Sequence, residues 1–310
     1  MRSQALVLLA VLTAAGVSAA AQTFRAGVDL VHFGVTVTDR RGRIVTGLGP
    51  EDFRVVEDGR PQTVVQFVAA QGSDAPEPAP GDPTRVPMHV GLLLDSSGSM
   101  EADVGMSRTA AIKFLNLLPS ADDITIVDFD TEVRVARYGQ RDFAQLVERI
   151  RARKPDGFTA LYDALGVYLD GADEQDGRTI LVLYTDGGDT RSALGYADLL
   201  TMLKASDVTV YAVGFMEHQG GAANLNRMRL TQIAEQTGGQ AFFPSALKDL
   251  DAAYAKVLAE IRGQYHLGYA STNARDDGAW RKVEFTVARP GLSVRARKGY
   301  FARYRPAPSD

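Results

Sequence analysis

Apolar residues in the middle of the chain form short continuous runs that alternate with stretches of helical periodicity. Continuous runs indicate strands covered on both faces, and apolar residues spaced three and four apart indicate amphipathic helices. The runs predict strands at residues 88–94, 123–129, 132–137, 178–185, 208–214 and 240–243. Helical periodicity lies at residues 107–118, 141–153, 160–169, 192–205, 227–237 and 247–261. This alternation predicts an α/β fold with a doubly wound, mostly parallel sheet.

Both flanks of this region alternate between apolar and polar positions instead. Residues 31–37 place four apolar side chains on one face, turns follow at residues 39–42 and 57–59, and residues 63–68 read as a further strand. Strand patterning returns at residues 265–270, 280–288 and 292–297. Alternation with short turns is typical of antiparallel sheets.

The topology of the α/β region suggests how the two flanks meet. A strand that starts at Met88 and a helix that ends near Arg262 leave the region at the same edge of the sheet. Neither flank has enough strands to be stable alone. We therefore predict one small antiparallel β-sandwich, with the α/β domain inserted between its two halves. The alternative is two independent arms.

Composition divides the chain into six parts. The predicted parts are a signal peptide (1–21), the N-terminal half of the β-sandwich (22–70), a Pro-rich linker (71–87), the α/β domain (88–262), the C-terminal half of the sandwich (263–305) and a tail (306–310). The linker is assigned from its prolines and its few apolar residues.

The first residues are typical of a secretory signal. Arg2 precedes an apolar run at residues 5–15, and small residues at 18–21 offer a cleavage site. An uncleaved membrane anchor is the alternative, but the run is short of the roughly 20 apolar residues that span a bilayer. We expect an exported protein, periplasmic or secreted, that is not transmembrane after cleavage.

Charge and cysteine content limit the partners and the covalent modifications that we expect. The formal net charge is −4 and the sequence pI is about 5.7, which argues against nucleic acid. The chain has 0 Cys, so neither disulfides nor an N-terminal lipidated cysteine are expected. The oligomeric state is left open by the sequence.

Carboxylates end two of the predicted buried strands. Asp95 ends the first strand and is followed by Ser97 and Ser99, while Asp186 ends the strand at 178–185. Thr159 enters a predicted helix after a Pro-Asp-Gly break. The carboxyl ends of parallel strands meet at one edge, where ligands of α/β sheets bind. These hard oxygens predict a site for Mg2+, or alternatively for Mn2+ or Ca2+. Singly, Thr159 could be an ordinary helix N-cap and Asp186 a turn residue.

In this order the residues resemble the metal ion-dependent adhesion site of the von Willebrand factor type A (VWA) domain, whose fold is Rossmann-like. That motif is Asp-x-Ser-x-Ser, then Thr, then Asp after a later strand, and all of it is present here. The resemblance implies that Asp95, Ser97, Ser99, Thr159 and Asp186 hold the cation, directly or through water. It also implies an open coordination position, which an Asp or Glu carboxylate of a protein partner completes.

The flanks resemble the VWFA-related proteins of Acidobacteria and similar bacteria. The resemblance rests on short segments within residues 45–59 and at residues 297–301, which are Val-Thr-Gly-Leu, Glu-Asp-Phe, Glu-Asp-Gly and Arg-Lys-Gly-Tyr-Phe.

Enzyme motifs are weak by comparison. The segment from Asp128 to Thr131 is similar to the haloacid dehalogenase phosphatase motif, but Glu132 breaks the pattern. The 4 His are scattered without ligand spacing, and Ser96 lacks a Gly-x-Ser-x-Gly elbow. We therefore expect a non-enzymatic, metal-dependent protein-binding module for adhesion or interaction. The alternatives are a metal-dependent hydrolase that uses the same carboxylates, or an envelope scaffold without a working metal site.

Overall fold

A computed structural model of the chain describes residues 30–72, 86–118, 121–172, 175 and 177–303. The predicted signal peptide, most of the Pro-rich linker and the tail at 306–310 lie outside these residues. Within them, no helix has both the length and the apolar character needed to cross a bilayer.

Fourteen strands and six α-helices follow one another along the described chain. The N-terminal flank contains β1 (Leu30–Thr38), β2 (Phe53–Glu57), β3 (Arg60–Gln62) and β4 (Val64–Val68). The central region contains β5 (Met88–Asp95), α1 (Val104–Leu117), β6 (Asp123–Phe129), β7 (Val133–Gly139), α2 (Phe143–Ala152), α3 (Leu161–Ala172), β8 (Arg178–Thr185), α4 (Tyr196–Ala205), β9 (Thr209–Gly214), α5 (Ala223–Gln236), β10 (Ala241–Phe242) and α6 (Leu247–Arg262). The C-terminal flank contains β11 (Gln264–Ala270), β12 (Trp280–Val287), β13 (Ser293–Arg295) and β14 (Gly299–Phe301).

The central region is the predicted doubly wound sheet. Its strand order is β10-β9-β8-β5-β6-β7, and only the β6–β7 pair is antiparallel among the pairs described. Alternate side chains of β5 face opposite layers: Leu92 packs in the cluster of α1, α2 and α6, and Leu93 packs in that of α3, α4 and α5. Both faces of the sheet are therefore covered, which explains the continuous apolar runs.

The two flanks form the predicted joint sandwich. One sheet has the order β13-β1-β11-β4 and the other the order β14-β12-β2-β3, so each sheet takes strands from both flanks. Between the sheets, Phe33 of β1 packs against Phe285 of β12, with ring centroids 4.9 Å apart, and Tyr265 of β11 packs against Phe53 of β2, with ring centroids 5.1 Å apart. The fold class predicted from the sequence is therefore confirmed.

Several boundaries differ from the sequence-based ones. Helix α4 begins at Tyr196, later than residue 192, because the Ser192 hydroxyl donates to Asp189 (2.6 Å) in an irregular loop. Helix α5 begins at Ala223, before residue 227, where the sequence shows too few apolar residues to reveal helical periodicity. Strand β14 was not predicted, because three residues are too few to show alternation.

Arginines of the C-terminal flank connect the sandwich to the α/β domain. Arg297 stacks over Phe33 (4.4 Å to the ring centroid), donates to the His32 carbonyl (2.7 Å) and forms an ion pair with Asp207, just after α4. Arg295 donates to the carbonyl of Gly238, just after α5 (2.9 Å). Both contacts lie at helix carboxyl ends, the edge of the sheet opposite Asp95. Within the described residues, the sandwich therefore leaves the Asp95 edge uncovered.

Candidate metal centre

Strand β5 delivers Asp95 to the carboxyl edge of the sheet. After Asp95 the chain turns, because Ser96 donates to the Phe129 carbonyl of β6 through its backbone N–H (2.8 Å) and its hydroxyl (3.1 Å). Ser96 is thereby used in the turn, which leaves the hydroxyls of Ser97 and Ser99 available to the centre.

Asp95 is buried (2% exposed) and surrounded by hydroxyl and amide donors. Its Oδ1 accepts from the backbone N–H (3.0 Å) and the hydroxyl (2.6 Å) of Ser97, and its Oδ2 accepts from the Thr185 hydroxyl (2.5 Å). The Oγ atoms of Ser97 and Ser99 are 3.1 Å apart. Asp95, Ser97 and Ser99 therefore form one hydrogen-bonded cluster.

Asp186 follows β8 on the neighbouring strand and is also buried (1% exposed). Its Oδ1 accepts from the Gly188 N–H (3.0 Å) and its Oδ2 accepts from Gln219 Nε2 (2.6 Å). Asn226 of α5 donates both to the Asp186 carbonyl (3.3 Å) and to Gln219 Oε1 (2.9 Å). The carboxylate orientation is thus set by a loop and a helix distant in sequence.

Thr159 lies on a third loop that is tied to the other two. The Gly98 N–H donates to the Gly157 carbonyl (3.1 Å), which joins this loop to the serine loop. Thr159 receives the Thr190 N–H at its carbonyl (2.9 Å) and donates its own N–H to the Thr190 hydroxyl (3.0 Å). Helix α3 begins at Leu161, two residues later, and Thr159 is 4% exposed.

Three residues of this network were missed by the sequence analysis. Thr185 carried a usable signal, because it ends a predicted buried strand immediately before Asp186 and the ends of parallel strands meet at one edge. In the structure Leu94 lies opposite Tyr184, which places Thr185 beside Asp95. Gln219 and Asn226 carried none, since they reach the site only through the folded chain. The roles of the five predicted ligands stay a prediction, but the structure brings their loops together.

Within the described residues, Asp95 and Asp186 form a pair of buried acids that no basic side chain neutralises. Burial, and then the negative charge of Asp186, raise the pKa of Asp95 to about 7 against the opposing hydrogen bonds from Ser97 and Thr185. In the described chain, neither carboxylate forms an ion pair with a basic side chain. A bound cation would supply the missing positive charge.

The acids at the end of the neighbouring strand β6, in contrast, form ion pairs with arginines. Asp128 pairs with Arg149 (2.7 Å), and Asp130 pairs with Arg134 (3.0 Å) and Arg153 (2.8 Å). Both aspartates of the segment that is similar to the phosphatase motif are therefore held in ion pairs.

The donor set fits a hard divalent cation. Ligands on adjacent corners of a Mg2+ octahedron lie about 3 Å apart, since Mg2+ to oxygen bonds are about 2.1 Å. The two serine oxygens lie 3.1 Å apart. The described residues hold no cluster of three or more His, Cys, Asp or Glu side chains that could bind a metal. The predicted centre instead combines two carboxylates with hydroxyls.

The raised pKa of Asp95 leads to a pH-dependence prediction for the metal-free protein. The pKa is 3.8 without perturbation and about 7 in the folded protein. The folded state therefore holds the Asp95 proton more tightly, so the stability that Asp95 contributes is fully present below about pH 4 and is lost as the pH rises through about 7. The expected loss is up to ~4 kcal/mol at ~1.36 kcal/mol per pKa unit.

Urea unfolding of the native chain and of Asp95→Asn, in EDTA at several pH values, measures the stability that Asp95 contributes. The difference in unfolding free energy between the two chains should shift in favour of Asp95→Asn as the pH rises. A difference that does not change with pH contradicts the prediction.

A model of the von Willebrand factor type A domain family matches residues 89–256, more than half of the 310 residues. The chain belongs to this family. The match spans the VWA domain from β5 into α6 and includes all three loops of the centre. No curated protein matches the sequence.

Solved structures of other proteins are similar to the chain. BatB from Bacteroides thetaiotaomicron is 15% identical, with 56% of this chain and 98% of that chain covered and a TM-score of 0.46. The vWF domain of the type V pili tip protein Mfa5 from Porphyromonas gingivalis is 14% identical (56% and 95% covered, TM-score 0.44). A von Willebrand factor type A protein from Catenulispora acidiphila is 14% identical (91% and 75% covered, TM-score 0.45).

Proposed function

We propose that this protein is an exported, divalent-metal-dependent protein-binding module. The observation that carries the proposal is the buried Asp95–Asp186 pair, which has hydroxyl donors but no described basic partner. Ser97, Ser99 and Thr159 complete the proposed ligand set. Mg2+ is the first candidate, with Mn2+ and Ca2+ as alternatives.

When bound, the cation supplies a positive charge that a carboxylate can meet at an open coordination position. Hydrogen bonds orient Asp95 and Asp186, and the serine and threonine hydroxyls contribute neutral oxygen ligands. A centre with few anionic ligands keeps a strong attraction for one further carboxylate. We propose that an Asp or Glu of a protein partner provides it.

The placement of the domain supports a role in recognition. The sandwich packs against the opposite edge of the VWA domain, through Arg295 and Arg297. The metal centre is therefore at the end of the molecule distant from the sandwich. Together with the signal-like residues 1–21, this supports a module that acts in the periplasm or outside the cell.

Metal-dependent capture of a partner tests the proposal. The mature protein, immobilised and incubated with envelope extract, should retain a partner in Mg2+ and release it in EDTA. Asp186→Ala should retain none, because it removes one of the two acids. Calorimetric titration with Mg2+, Mn2+ and Ca2+ measures the cation itself. Retention that is equal in Mg2+, in EDTA and with Asp186→Ala contradicts metal-dependent binding.

The same experiments separate this proposal from its alternatives. Silence in calorimetry for all three cations would favour a scaffold without a working centre. Hydrolase assays in Mg2+ or Mn2+ test the enzymatic alternative, and turnover abolished by Asp186→Ala would overturn the binding proposal.

A further inference from the structure

A groove beside α1 and α2 carries only basic charge. It has a volume of about 440 Å³ and is lined by residues of α1 and by one residue of α2. Its charged lining residues are Arg108 and Lys113 of α1 and Arg151 of α2, and no acidic residue of the described chain lines it. We call this feature the basic groove. The ligand that complements its charge is an anion.

Arg108 has no partner for its charge within the described chain. Its side chain is partly buried, and its Nη2 atom is shielded from water without a hydrogen-bond partner. The acids that pair with the other two basic residues, Asp251 and Glu148, do not pair with Arg108. Removing a guanidinium from water costs free energy unless an anion or an acceptor compensates its charge. An anion in the basic groove would supply this compensation.

The other two basic residues form only exposed ion pairs. Lys113 pairs with Asp251 of α6, and Arg151 pairs with Glu148 of α2 (3.1 Å). All four side chains are at least 46% exposed. Ion pairs with this exposure stabilise a fold little, because water and salt screen the charges. Lys113 and Arg151 can therefore turn toward a ligand with little loss of stability.

The basic groove has room for a ligand next to Arg108. Gly105 lines it three residues earlier on α1, and a Cβ atom placed on Gly105 would meet no heavy atom within 4 Å. Arg108 and Lys113 are five residues apart, hence about 7.5 Å along the helix axis. Both side chains are long and flexible enough to contact one anion between them. The groove is therefore open where the uncompensated charge lies.

We propose that the basic groove binds a phosphate group, with Arg108 as its main contact. The planar guanidinium can donate two parallel hydrogen bonds to two phosphate oxygens, and the ammonium of Lys113 adds a point charge. Three basic side chains match a dianion better than a carboxylate, which carries a single charge. A soluble phosphate compound and a lipid headgroup present the same group. The proposed site does not depend on the metal centre.

Calorimetric titration of the full chain with inorganic phosphate tests the inference. EDTA keeps the metal centre empty, so that phosphate cannot bind there through a cation, and chloride keeps the ionic strength constant. Slightly alkaline pH makes the phosphate mainly a dianion. We expect saturable binding, and Arg108→Gln should weaken it by at least about tenfold because it removes charge-assisted hydrogen bonds. Arg108→Lys, which keeps the charge but loses the planar pair of donors, should weaken it less.

Two further variants separate the loss of the site from a general effect of charge. Gly105→Leu leaves every charge in place but fills the open space near Arg108, so it should also weaken phosphate binding. Leucine favours a helix more than glycine does, so this variant should fold. Arg54→Gln, at an exposed position on β2 of the sandwich, changes the net charge as Arg108→Gln does and should leave the phosphate affinity unaltered. Circular dichroism checks that each variant is folded.

Vesicles identify the source of the phosphate group. Sedimentation of the chain in EDTA with vesicles of phosphatidic acid and phosphatidylcholine, lost in Arg108→Gln, would identify a lipid headgroup. Binding of inorganic phosphate without such sedimentation would identify a soluble phosphate compound, and either result supports the site. The inference is overturned if the native chain binds neither, or if Arg108→Gln and Arg54→Gln bind phosphate equally well.

Discussion

Replacing Asp95 by asparagine should weaken Mg2+ binding by at least about 100-fold. Even residues that only orient a metal ligand typically contribute 10- to about 100-fold to affinity. The substitution removes one of two negative charges from the buried centre. It also turns an amide NH2 toward the hydroxyl of Ser97 or Thr185, both of which now donate to Asp95. Calorimetric titration of the full chain with Mg2+ and Mn2+ measures the loss.

A surface aspartate provides the matched control. Asp170 is exposed on α3, so Asp170→Asn changes the net charge equally and should leave the Mg2+ affinity unaltered. Circular dichroism and the urea midpoint of metal-free Asp95→Asn distinguish loss of Mg2+ binding from loss of the fold. An Asp95→Asn chain that binds Mg2+ within about threefold of the native affinity would refute the assignment.

Replacing Glu57 by alanine should destabilise the sandwich by about 3–5 kcal/mol. Glu57 of β2 is 2% exposed and accepts hydrogen bonds from Tyr269 (2.9 Å), Ser271 (2.6 Å) and Tyr300 (2.9 Å). Burial, together with the hydrogen bond to Glu57, raises the pKa of both tyrosines, that of Tyr300 to about 12, so both remain donors at neutral pH. Alanine would leave these hydroxyls without their acceptor.

The position of the single Trp allows the stability of the sandwich to be measured by fluorescence. Trp280 lies on β12, with its ring 5.1 Å from that of Phe301, so its fluorescence during denaturation reports on the sandwich. Glu57→Gln should cost less than Glu57→Ala because it keeps an acceptor oxygen. Glu284→Ala, an exposed position on β12, should change stability little. Equal stabilities of Glu57→Ala and Glu284→Ala would show that the buried carboxylate does not hold the halves together.

Much of the fold was predictable because its signals are local. Burial on both faces makes β5, β6 and β8 continuous apolar runs, whereas one-sided burial makes β1 alternate. The meeting of the two flanks followed from topology, since Met88 and Arg262 lie at the same edge of the sheet. The five predicted metal ligands followed from their motif and from the rule that parallel strands end at one edge.

The sequence by itself therefore determined the fold class and the identity of the candidate ligands. Only the tertiary structure decided what surrounds them: Thr185, Gln219 and Asn226 orient the acids. It also decided the raised pKa of Asp95, which depends on burial and on the nearby Asp186. The spacing of apolar residues along one segment shows which of its sides packs against the core. Contacts between residues distant in the chain produce no such pattern in the sequence, because they form only when the loops of several strands come together.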